Sequence, residues 1–271
     1  MTPQQIPDLS DGRFNQSLQR GLAILRLFSP DSPDLGIADI GEDLEMPRAT
    51  VHRYVSTLVA LDFLERLPSR RYRLGPRAAE FGMSALRATG LRGDSRADLR
   101  ELRNCTALTA SIAVLDNTEI VYVDRARSNL LGGSLLGLTQ RPGSRLPAHC
   151  TAMGKVLLAA LPLPEQKEVV SAITFVQCTP RTISTEPELD DELAEVRAEG
   201  FAVNNEEWTP GVVAIAVPVR LASGEVRAAV GLVAQCTGVS LDRLAEEFVP
   251  LAAWTADTVA AGLQRGRERV R

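Results

Sequence analysis

The sequence contains few of the residues on which metal sites and disulfides depend. Its 271 residues include two histidines and four cysteines, and the cysteines are scattered without a CxxC pair. A structural zinc ion takes about four His or Cys ligands at regular spacing, so we expect neither a metal nor another cofactor. Scattered cysteines favour reduced, mostly buried thiols.

Long apolar runs are also absent. No uninterrupted hydrophobic stretch reaches the roughly 18 residues of a membrane helix. The polar N-terminus lacks the basic and then apolar pattern of a signal peptide. We therefore expect a cytoplasmic protein that binds no membrane. Residues 1–15 are predicted to form a disordered tail, and the rest of the chain is long enough for two modest domains.

Lysine is scarce, because Lys155 and Lys167 are the only two. All other Lys and Arg positions are arginines, yet the chain is acidic, with 34 Asp and Glu against 30 Lys and Arg and a net charge of −4. Codon bias is the simplest explanation for a general arginine excess, so position matters more than number. Between Met46 and Arg77 there are seven arginines and only two acids, which makes this stretch a local basic patch.

The patch belongs to a predicted helix-turn-helix. The segment "SLQRGLAILRLF" predicts a first helix, with Ser17 as its N-cap and Leu18, Leu22 and Leu25 on one face. The segment "SPDSPDLG" is typical of a turn. The segment "IADIGEDL" then predicts a short helix, and "EMP" predicts a tight turn before another helix, with Pro47 at its start.

The helix after Pro47 has the pattern of a recognition helix. Its apolar stripe consists of Val51, Val55, Leu58 and Leu61. The polar residues near its N-terminus and outside this stripe are Arg48, Thr50, His52 and Arg53. The second helix of a helix-turn-helix lies in the major groove, with its first residues at the base edges. We therefore predict that these four polar residues contact DNA.

A basic hairpin follows the recognition helix. The segment "DFLERLPSRRYRLG" contains two β-like runs around Pro68–Arg70. This pattern predicts a wing with Arg70 and Arg71 at its tip and Arg73 two residues further on. We expect these three arginines to reach DNA phosphates. The alternative is a three-helix bundle with a solvated basic face, but the order of helices, turn and basic hairpin favours a winged helix-turn-helix over residues 16–75.

The rest of the chain predicts an α+β domain. Residues 76–92 read as a helix that suits a linker between domains. Residues 93–265 contain a helix, β hairpins around Asp116–Asn117 and around "ASGE", and a long last helix from Leu241 to Arg265. Antiparallel hairpins with helices between and after them are typical of an α+β fold.

The segment "RLPAHCTAMGKVLLAAL" carries a predicted anion site. Its pattern is helical from Thr151 onward, with Thr151 as a suitable N-cap. The N–H groups of Ala152, Met153 and Gly154 would present the positive end of the helix dipole to a carboxylate. The alternative is an ordinary capped helix beneath a strand.

The alternative function is an enzyme of small-acid metabolism with an accessory nucleic-acid-binding domain. His149 and Cys150 are neighbours that point to opposite faces of an extended segment, so we expect no dyad. The adjacent Glu206 and Glu207 follow a predicted strand, where solvation or pairing with arginines is expected. "MGK" lacks the frame of a phosphate-binding loop. The sequence therefore offers no catalytic set.

These motifs resemble the IclR family of bacterial transcriptional regulators. "SLQRGLAILRLFS", "MPRATVHRYVSTLVALDFLER" and "YRLGPRAAEFG" are similar to the family's winged helix-turn-helix, and "RLPAHCTAMGKVLLAAL" and "GFAVNNEEWTPGVVAIAVPV" to its effector domain. The segments "LPAHCTAMGKVLLAAL" and "LAEEFVPLAAW" resemble the subgroup that controls aromatic-acid catabolism through the β-ketoadipate pathway. Ala49 stands where the family usually has serine, and Val213–Ala214 stands where it usually has Arg-Ser or Arg-Cys.

The resemblance implies a winged helix-turn-helix joined by a linker helix to a GAF-like α/β effector domain with an antiparallel sheet. It implies operator DNA and a small organic acid, aromatic in this subgroup, as partners. It also implies a homo-oligomer, a dimer or a dimer of dimers, formed through the DNA-binding domains and linker helices. The effector residues that it indicates are His149, Thr151, Ala152, Met153, Gly154, Asn204, Val213 and Ala214. Without the usual polar pair at Val213–Ala214, a more apolar ligand or a different set of donors is expected.

Overall fold

The computed structural model describes residues 15–29, 32–88, 91, 95–128 and 140–268. The chain divides into two compact units, one ending at Ala85 and the other beginning at Leu86. The predicted tail lies outside the described residues except for its last position, and so does part of the predicted linker. No helix in the described ranges is long and apolar enough to cross a membrane.

The first unit contains three helices, a small sheet and a further helix that crosses the division. Its elements are α1 (Gln16–Leu27), β1 (Asp34–Leu35), α2 (Ile37–Asp43), α3 (Arg48–Ala60), β2 (Leu64–Arg66), β3 (Tyr72–Leu74) and α4 (Pro76–Ala88). The strands pair in the order β1-β3-β2, and all pairs are antiparallel. The predicted winged helix-turn-helix is therefore confirmed.

Helix α1 buries a different face from the one its leucines suggest. Ile24 and Phe28 lie in the core, whereas Leu18 is 63% exposed and Leu22 is 52% exposed. The helix is apolar on several sides, and Ile24 and Phe28, four residues apart, define the stripe that packs. The predicted cap is also wrong, because the side chain of Asn15 accepts the N–H of Leu18 at 3.1 Å.

The turn and the recognition helix form as predicted. The N–H of Met46 donates to the carbonyl of Gly41 at 2.9 Å, and α3 begins directly after Pro47. Val51 and Val55 are buried. Leu61, predicted to continue the stripe, is the C-cap residue and is 54% exposed, because the helix has ended before it.

The wing has one strand more than predicted. Residues of the supposed turn form β1, in which Asp34 and Leu35 pair with Arg73 and Tyr72 of β3. At the other end of the wing, Gly75 lies so close to the backbone that an added Cβ would stand 2.3 Å from the carbonyl oxygen of Asp62. Only glycine permits this approach.

The second unit is an α/β domain. Its elements up to the middle of the domain are α5 (Ser95–Thr106), β4 (Thr109–Asp116), β5 (Glu119–Ala126), β6 (Arg145–Pro147), α6 (Ala152–Ala159) and α7 (Leu163–Ser171). They are followed by α8 (Glu186–Glu199), β7 (Ala202–Asn205), β8 (Val212–Arg220), β9 (Val226–Gln235), α9 (Leu241–Arg243) and α10 (Val249–Glu268). Leu244–Phe248 form a π-helical turn between α9 and α10, so the predicted continuous last helix is interrupted there.

The strands of the second unit form one antiparallel sheet in the order β6-β5-β4-β9-β8-β7. Helices α5 and α10 cover one face, and α6, with α8 packed against it, covers the other. We call these the α10 face and the α6 face. Because side chains alternate along a strand, Val213 and Ile215 of β8 point to the α10 face, whereas Ala214 and Ala216 point to the α6 face.

Candidate DNA interface and effector site

Helix α3 presents its predicted DNA-contact residues at its N-terminal half. Arg48, His52 and Arg53 are exposed and Thr50 is half-buried. The guanidinium of Arg53 stands 5.9 Å from the centre of the Tyr54 ring. Within the described part of the chain, neither Arg48 nor Arg53 forms an ion pair with a carboxylate. Both cations therefore remain available to a partner that supplies negative charge.

The wing arginines differ from one another. Arg71 Nη2 lies 2.9 Å from Asp39 Oδ2 and donates to the carbonyl of Asp34 at 2.8 Å. Arg73 Nη2 lies 2.7 Å from Glu65 Oε2. Arg71 and Arg73 thus have carboxylate partners within the protein, so their predicted phosphate contacts would compete with these ion pairs and stay a prediction. Arg70 remains exposed at the turn, where its φ is +61°.

The carboxylate that receives Arg71 also caps a helix. Asp39 Oδ2 accepts the N–H of Gly36 at 2.9 Å, at the start of α2. This backbone hydrogen bond, and then the nearby Arg71, hold the pKa of Asp39 below its usual range. Asp39 thus couples the wing to the helix-turn-helix.

The start of α6 is capped as predicted, but the cap uses one of the proposed anion-binding groups. The hydroxyl of Thr151 accepts the N–H of Gly154 at 3.2 Å. Gly154 also packs against Ala148, where an added Cβ would stand 2.2 Å from the carbonyl oxygen. Gly154 is therefore a close-approach residue. Among the described residues, the N–H groups of Ala152 and Met153 have no protein acceptor.

Two further predicted effector residues have other roles. The amide Nδ2 of Asn204 donates to the carbonyl of Cys150 at 2.6 Å, so it fixes the segment before α6. Val213 faces α10, away from Met153, since β8 alternates and Ala214 takes the α6 face. The apolar wall expected from Val213 and Ala214 is thus reduced to Ala214, which lies on the side of Met153. The contact of Asn204 with an effector stays a prediction.

His149 is a buried ring that has no close hydrogen bond, although the backbone of Val176 lies near it. It is 1% exposed, and neither ring nitrogen is bonded to a described residue. Phe175 packs on it edge to face, with ring centres 5.2 Å apart. Burial lowers the pKa of His149, and the backbone of Val176 opposes this only in part. The ring is therefore neutral near pH 7 and offers one donor and one acceptor.

Sequence reasoning missed an ion-pair cluster beneath α6. Lys155 is 2% exposed, and its Nζ lies 2.6 Å from Glu192 Oε1 and 2.8 Å from Glu207 Oε1. Glu207 is 5% exposed, so the expectation of solvation or arginine pairing is wrong for it. Burial, more than Lys155, sets the pKa of Glu207 and raises it. A lysine inside an otherwise apolar helix, in a chain with two lysines, was the available signal.

Cys150 is not an activated nucleophile. Burial raises the pKa of its thiol well above the usual range, and the neighbouring Cys178 and Glu207 act in the same direction. A nucleophilic cysteine needs a lowered pKa. Groups of three or more His, Cys, Asp or Glu side chains that could hold a metal ion are not found within the described ranges.

A second pair of polar residues, Ser111 on β4 and Arg125 on β5, lies on the α6 face. They are direct cross-strand partners. Ser111 is also paired with Gly231 of β9, and an added Cβ on Gly231 would stand 2.8 Å from Cγ of Met153. Because paired residues share a face, Arg125, Ser111 and Gly231 all point toward α6. The hairpin pattern gave both strands, but the pairing of β4 with β9 could not be read from the sequence.

Comparisons with known proteins agree with this geometry. A p-hydroxybenzoate hydroxylase transcriptional activator of Acinetobacter baylyi is 32% identical over 258 residues, which are 94% of each chain. A Pca regulon regulatory protein of Pseudomonas putida is 32% identical over 241 residues, which are 89% of this chain and 81% of that protein. The crystal structure of an IclR homolog from Microbacterium hydrocarbonoxydans, complexed with 4-hydroxybenzoate, has a TM-score of 0.79 at 27% identity and covers 92% of this chain and 99% of that one.

Two family models divide the chain at about the place where the fold does. Residues 17–68 match the IclR helix-turn-helix domain, and residues 83–261 match the C-terminal domain of bacterial transcriptional regulators of the IclR type. The similar proteins are regulators by name, which decides against the enzyme alternative. With both domains matched in order, the chain belongs to the IclR family of bacterial transcriptional regulators.

Proposed function

We propose that this regulator binds operator DNA through α3 and the wing tip and senses a small organic acid on the α6 face of its second domain. The observation that carries the effector assignment is the set of buried polar groups there without protein partners, above all the ring of His149. Buried polar groups in native proteins nearly always have a partner. A ligand with its own donors and acceptors would supply the missing ones.

The chemical class of the ligand follows from the site and from the similar proteins. The N–H groups of Ala152 and Met153 stand at the positive end of α6 and favour a ligand oxygen that accepts hydrogen bonds or carries negative charge. Ala214 and the side chain of Met153 provide an apolar wall. One similar protein is named for the control of p-hydroxybenzoate hydroxylase and one similar structure contains 4-hydroxybenzoate. These observations support an aromatic acid as the effector of this regulator in the cytoplasm.

For α3 we propose contacts with base edges and with the DNA backbone, made by Arg48, Thr50, His52 and Arg53, of which Thr50 is half-buried. Arg70 is the phosphate contact that we propose for the wing. Arg71 and Arg73 are left out of this set because of their carboxylate partners. The net result is a smaller contact surface than the basic patch of the sequence suggested.

The oligomer is a dimer or a dimer of dimers. Its support is the apolar surface of the first unit, where Leu18 and Leu22 of α1 and Phe81 of α4 are 63%, 52% and 66% exposed. Such apolar side chains favour burial against a second copy. Leu22→Glu should then lower the molecular mass measured by light scattering, whereas Leu163→Glu, at an equally exposed position of the second domain, should leave it unchanged.

The effector proposal is tested by a thermal-shift screen of aromatic and aliphatic carboxylates, followed by operator titration with each compound that stabilises the protein. A ligand shifts operator affinity only by its differential binding to two conformations, typically about 1–3 kcal/mol. The test variant is Gly231→Ala, whose methyl group would push the flexible side chain of Met153 into the space above the sheet. Met153→Glu, which places a charge there, is the second variant.

Both variants should keep the operator affinity of the ligand-free wild type and lose the response to the acid. Met153→Leu, which conserves volume, should keep both and serves as the matched control. If the stabilising acids act equally on wild type and on both test variants, the effector does not lie on the α6 face. If no carboxylate stabilises the wild type, the acid-effector proposal fails.

A further inference from the structure

We infer that Arg125 and Ser111 form the carboxylate anchor of the effector site. This inference rests on the proposed function and deepens it, since it assigns the acid group of the ligand to two residues. No sequence pattern singles out either residue, and the motifs alone predict the carboxylate at the helix start near Thr151.

Arg125 and Ser111 lie at one end of a row of small residues on the α6 face. A continuous row of paired residues crosses five strands on the α6 face: Ala202, Ala216, Gly231, Ser111 and Arg125. Apart from Arg125, every member of the row is small, so the sheet has little side-chain bulk there. Met153 enters the row over Gly231. The row thus leads from the start of α6 to a guanidinium group.

Ser111 and Arg125 each have a buried polar atom without a hydrogen-bond partner among the described residues. Ser111 is fully buried, and its hydroxyl oxygen has no hydrogen bond with a described residue. The Nε atom of Arg125 is also buried and has no such hydrogen bond. Nη1 of Arg125 donates to the carbonyl and to the side-chain oxygen of Gln140, at 3.0 and 3.1 Å. One edge of the guanidinium is therefore held in place by neutral acceptors, and a buried donor remains beside the hydroxyl.

The positive charge of Arg125 has no counter-ion among the described residues. Within the described ranges no carboxylate pairs with Arg125, and residues 129–139 contain no Asp or Glu. Asp124 accepts the backbone N–H of Arg125, but it is paired with Ile112, which lies on the α10 face. Burial lowers the pKa of Arg125, as does the nearby Arg127. A half-buried cation without a counter-ion is unfavourable, and a bound carboxylate removes that penalty.

The neighbouring ring completes the anchor. The guanidinium of Arg125 stands 5.7 Å from the centre of the Tyr122 ring, and Tyr122 is 5% exposed. Burial raises the pKa of Tyr122, so its hydroxyl stays neutral. The stacked, planar guanidinium can donate to a carboxylate with fixed geometry. The guanidinium of Arg125 carries a full charge and a free donor, so it binds a carboxylate better than the partial charges at the start of α6 do. The N–H groups at that helix start and the neutral ring of His149 suit the other polar group of the ligand.

The experiment is isothermal titration calorimetry on the full chain. The probes are benzoate, 4-hydroxybenzoate and succinate, each measured beside the corresponding amide, and any other carboxylate that stabilises the wild type in the screen. The variants are Arg125→Met and Ser111→Ala. Arg100→Met, which removes an exposed arginine from α5 on the opposite face of the sheet, is the matched control.

Arg125→Met should bind the acid on the order of 10- to 100-fold more weakly and should no longer prefer the acid over its amide. Ser111→Ala should bind it about 3- to 10-fold more weakly without losing thermal stability, because it removes a buried hydroxyl that has no partner. Arg100→Met should bind as the wild type does.

The outcomes separate the two proposals. If the wild type binds an acid and Arg125→Met binds it equally well and with the same preference over the amide, the anchor assignment is wrong while the acid-effector proposal stands. If Arg125→Met is destabilised, Ser111→Ala decides, because an unchanged affinity in that variant also overturns the assignment. If the wild type binds no carboxylate, both proposals fall together.

Discussion

The two units of this regulator place the polar side chains of their proposed binding sites in opposite environments. In the first unit Arg48, Arg53 and Arg70 extend from the surface without carboxylate partners among the described residues. In the second unit Lys155 is 2% exposed and His149 is 1% exposed. Exposed cations cost little free energy until DNA arrives with its own dense charge. Buried polar groups must be matched inside the protein or by a ligand that fits among them.

The comparison also separates two kinds of arginine within the first unit. Arg71 is engaged by Asp39 and by the carbonyl of Asp34, and Arg73 is engaged by Glu65. A surface ion pair contributes little stability, but it fixes the direction of a side chain. The contact surface that we propose for DNA therefore follows the unpaired arginines rather than the number of basic residues.

The largest expected effect concerns the buried ion pair of the second unit. Lys155→Met leaves Glu207 buried without its cation, and breaking such a pair typically costs about 3–5 kcal/mol of unfolding free energy. Urea denaturation of the full chain measures this loss. The double variant Lys155→Met, Glu207→Gln should recover most of it, because no unpaired charge remains between the two positions. A loss below about 1 kcal/mol in the single variant would contradict the buried pair.

The next effect tests the exposed side. Arg48→Ala and Arg53→Ala should each weaken specific operator binding by about 1–3 kcal/mol if the arginine reads a base. Both variants should keep the wild-type circular dichroism and thermal stability, since neither side chain is buried. Arg100→Ala, which removes an exposed charge from the second domain, is the control in the same gel-shift titration. Wild-type affinity in both test variants would place α3 outside the groove.

A smaller effect distinguishes the two kinds of wing arginine. Arg70→Ala should weaken binding to all DNA sequences alike and reduce the slope of log K against log salt by about 0.9, the value for one phosphate contact. Arg71→Ala should leave the slope unchanged, because its side chain is held by Asp39. Titration at several salt concentrations measures both. An equal loss of slope in Arg71→Ala would restore the original prediction that both residues contact phosphates.

The smallest effect is the pH dependence due to His149. Burial lowers its pKa in the folded protein below the ordinary value of 6.5. As the pH falls below about 6.5, the unfolded chain therefore binds more protons than the folded one, and the free energy of unfolding decreases. From pH 7.5 to pH 5.5, the free energy of unfolding of the wild type should therefore fall relative to that of His149→Phe, which has no titrating group at this position. A constant difference over this range would mean that the ring titrates normally.

The sequence alone determined most local features. The turn before Pro47, the cap at Thr151 and the hairpin at Asp116–Asn117 all formed where predicted. Each depends on residues a few positions apart, because helix periodicity, capping and turn chemistry are local properties. The resemblance to the IclR family rests on the same local motifs and was confirmed by both family models.

Only the tertiary structure decided which side chains meet. Lys155 pairs with Glu207, which lies 52 residues further along the chain, and Ser111 faces Arg125 on a row that also includes Gly231. The register of β8 assigned Val213 to the face opposite Met153. Such pairings depend on strand order and on a register in which a shift of one residue exchanges the two faces. The elements and the family could therefore be predicted from the sequence, but the carboxylate anchor that we propose for the effector site depends on strands that are distant in the sequence.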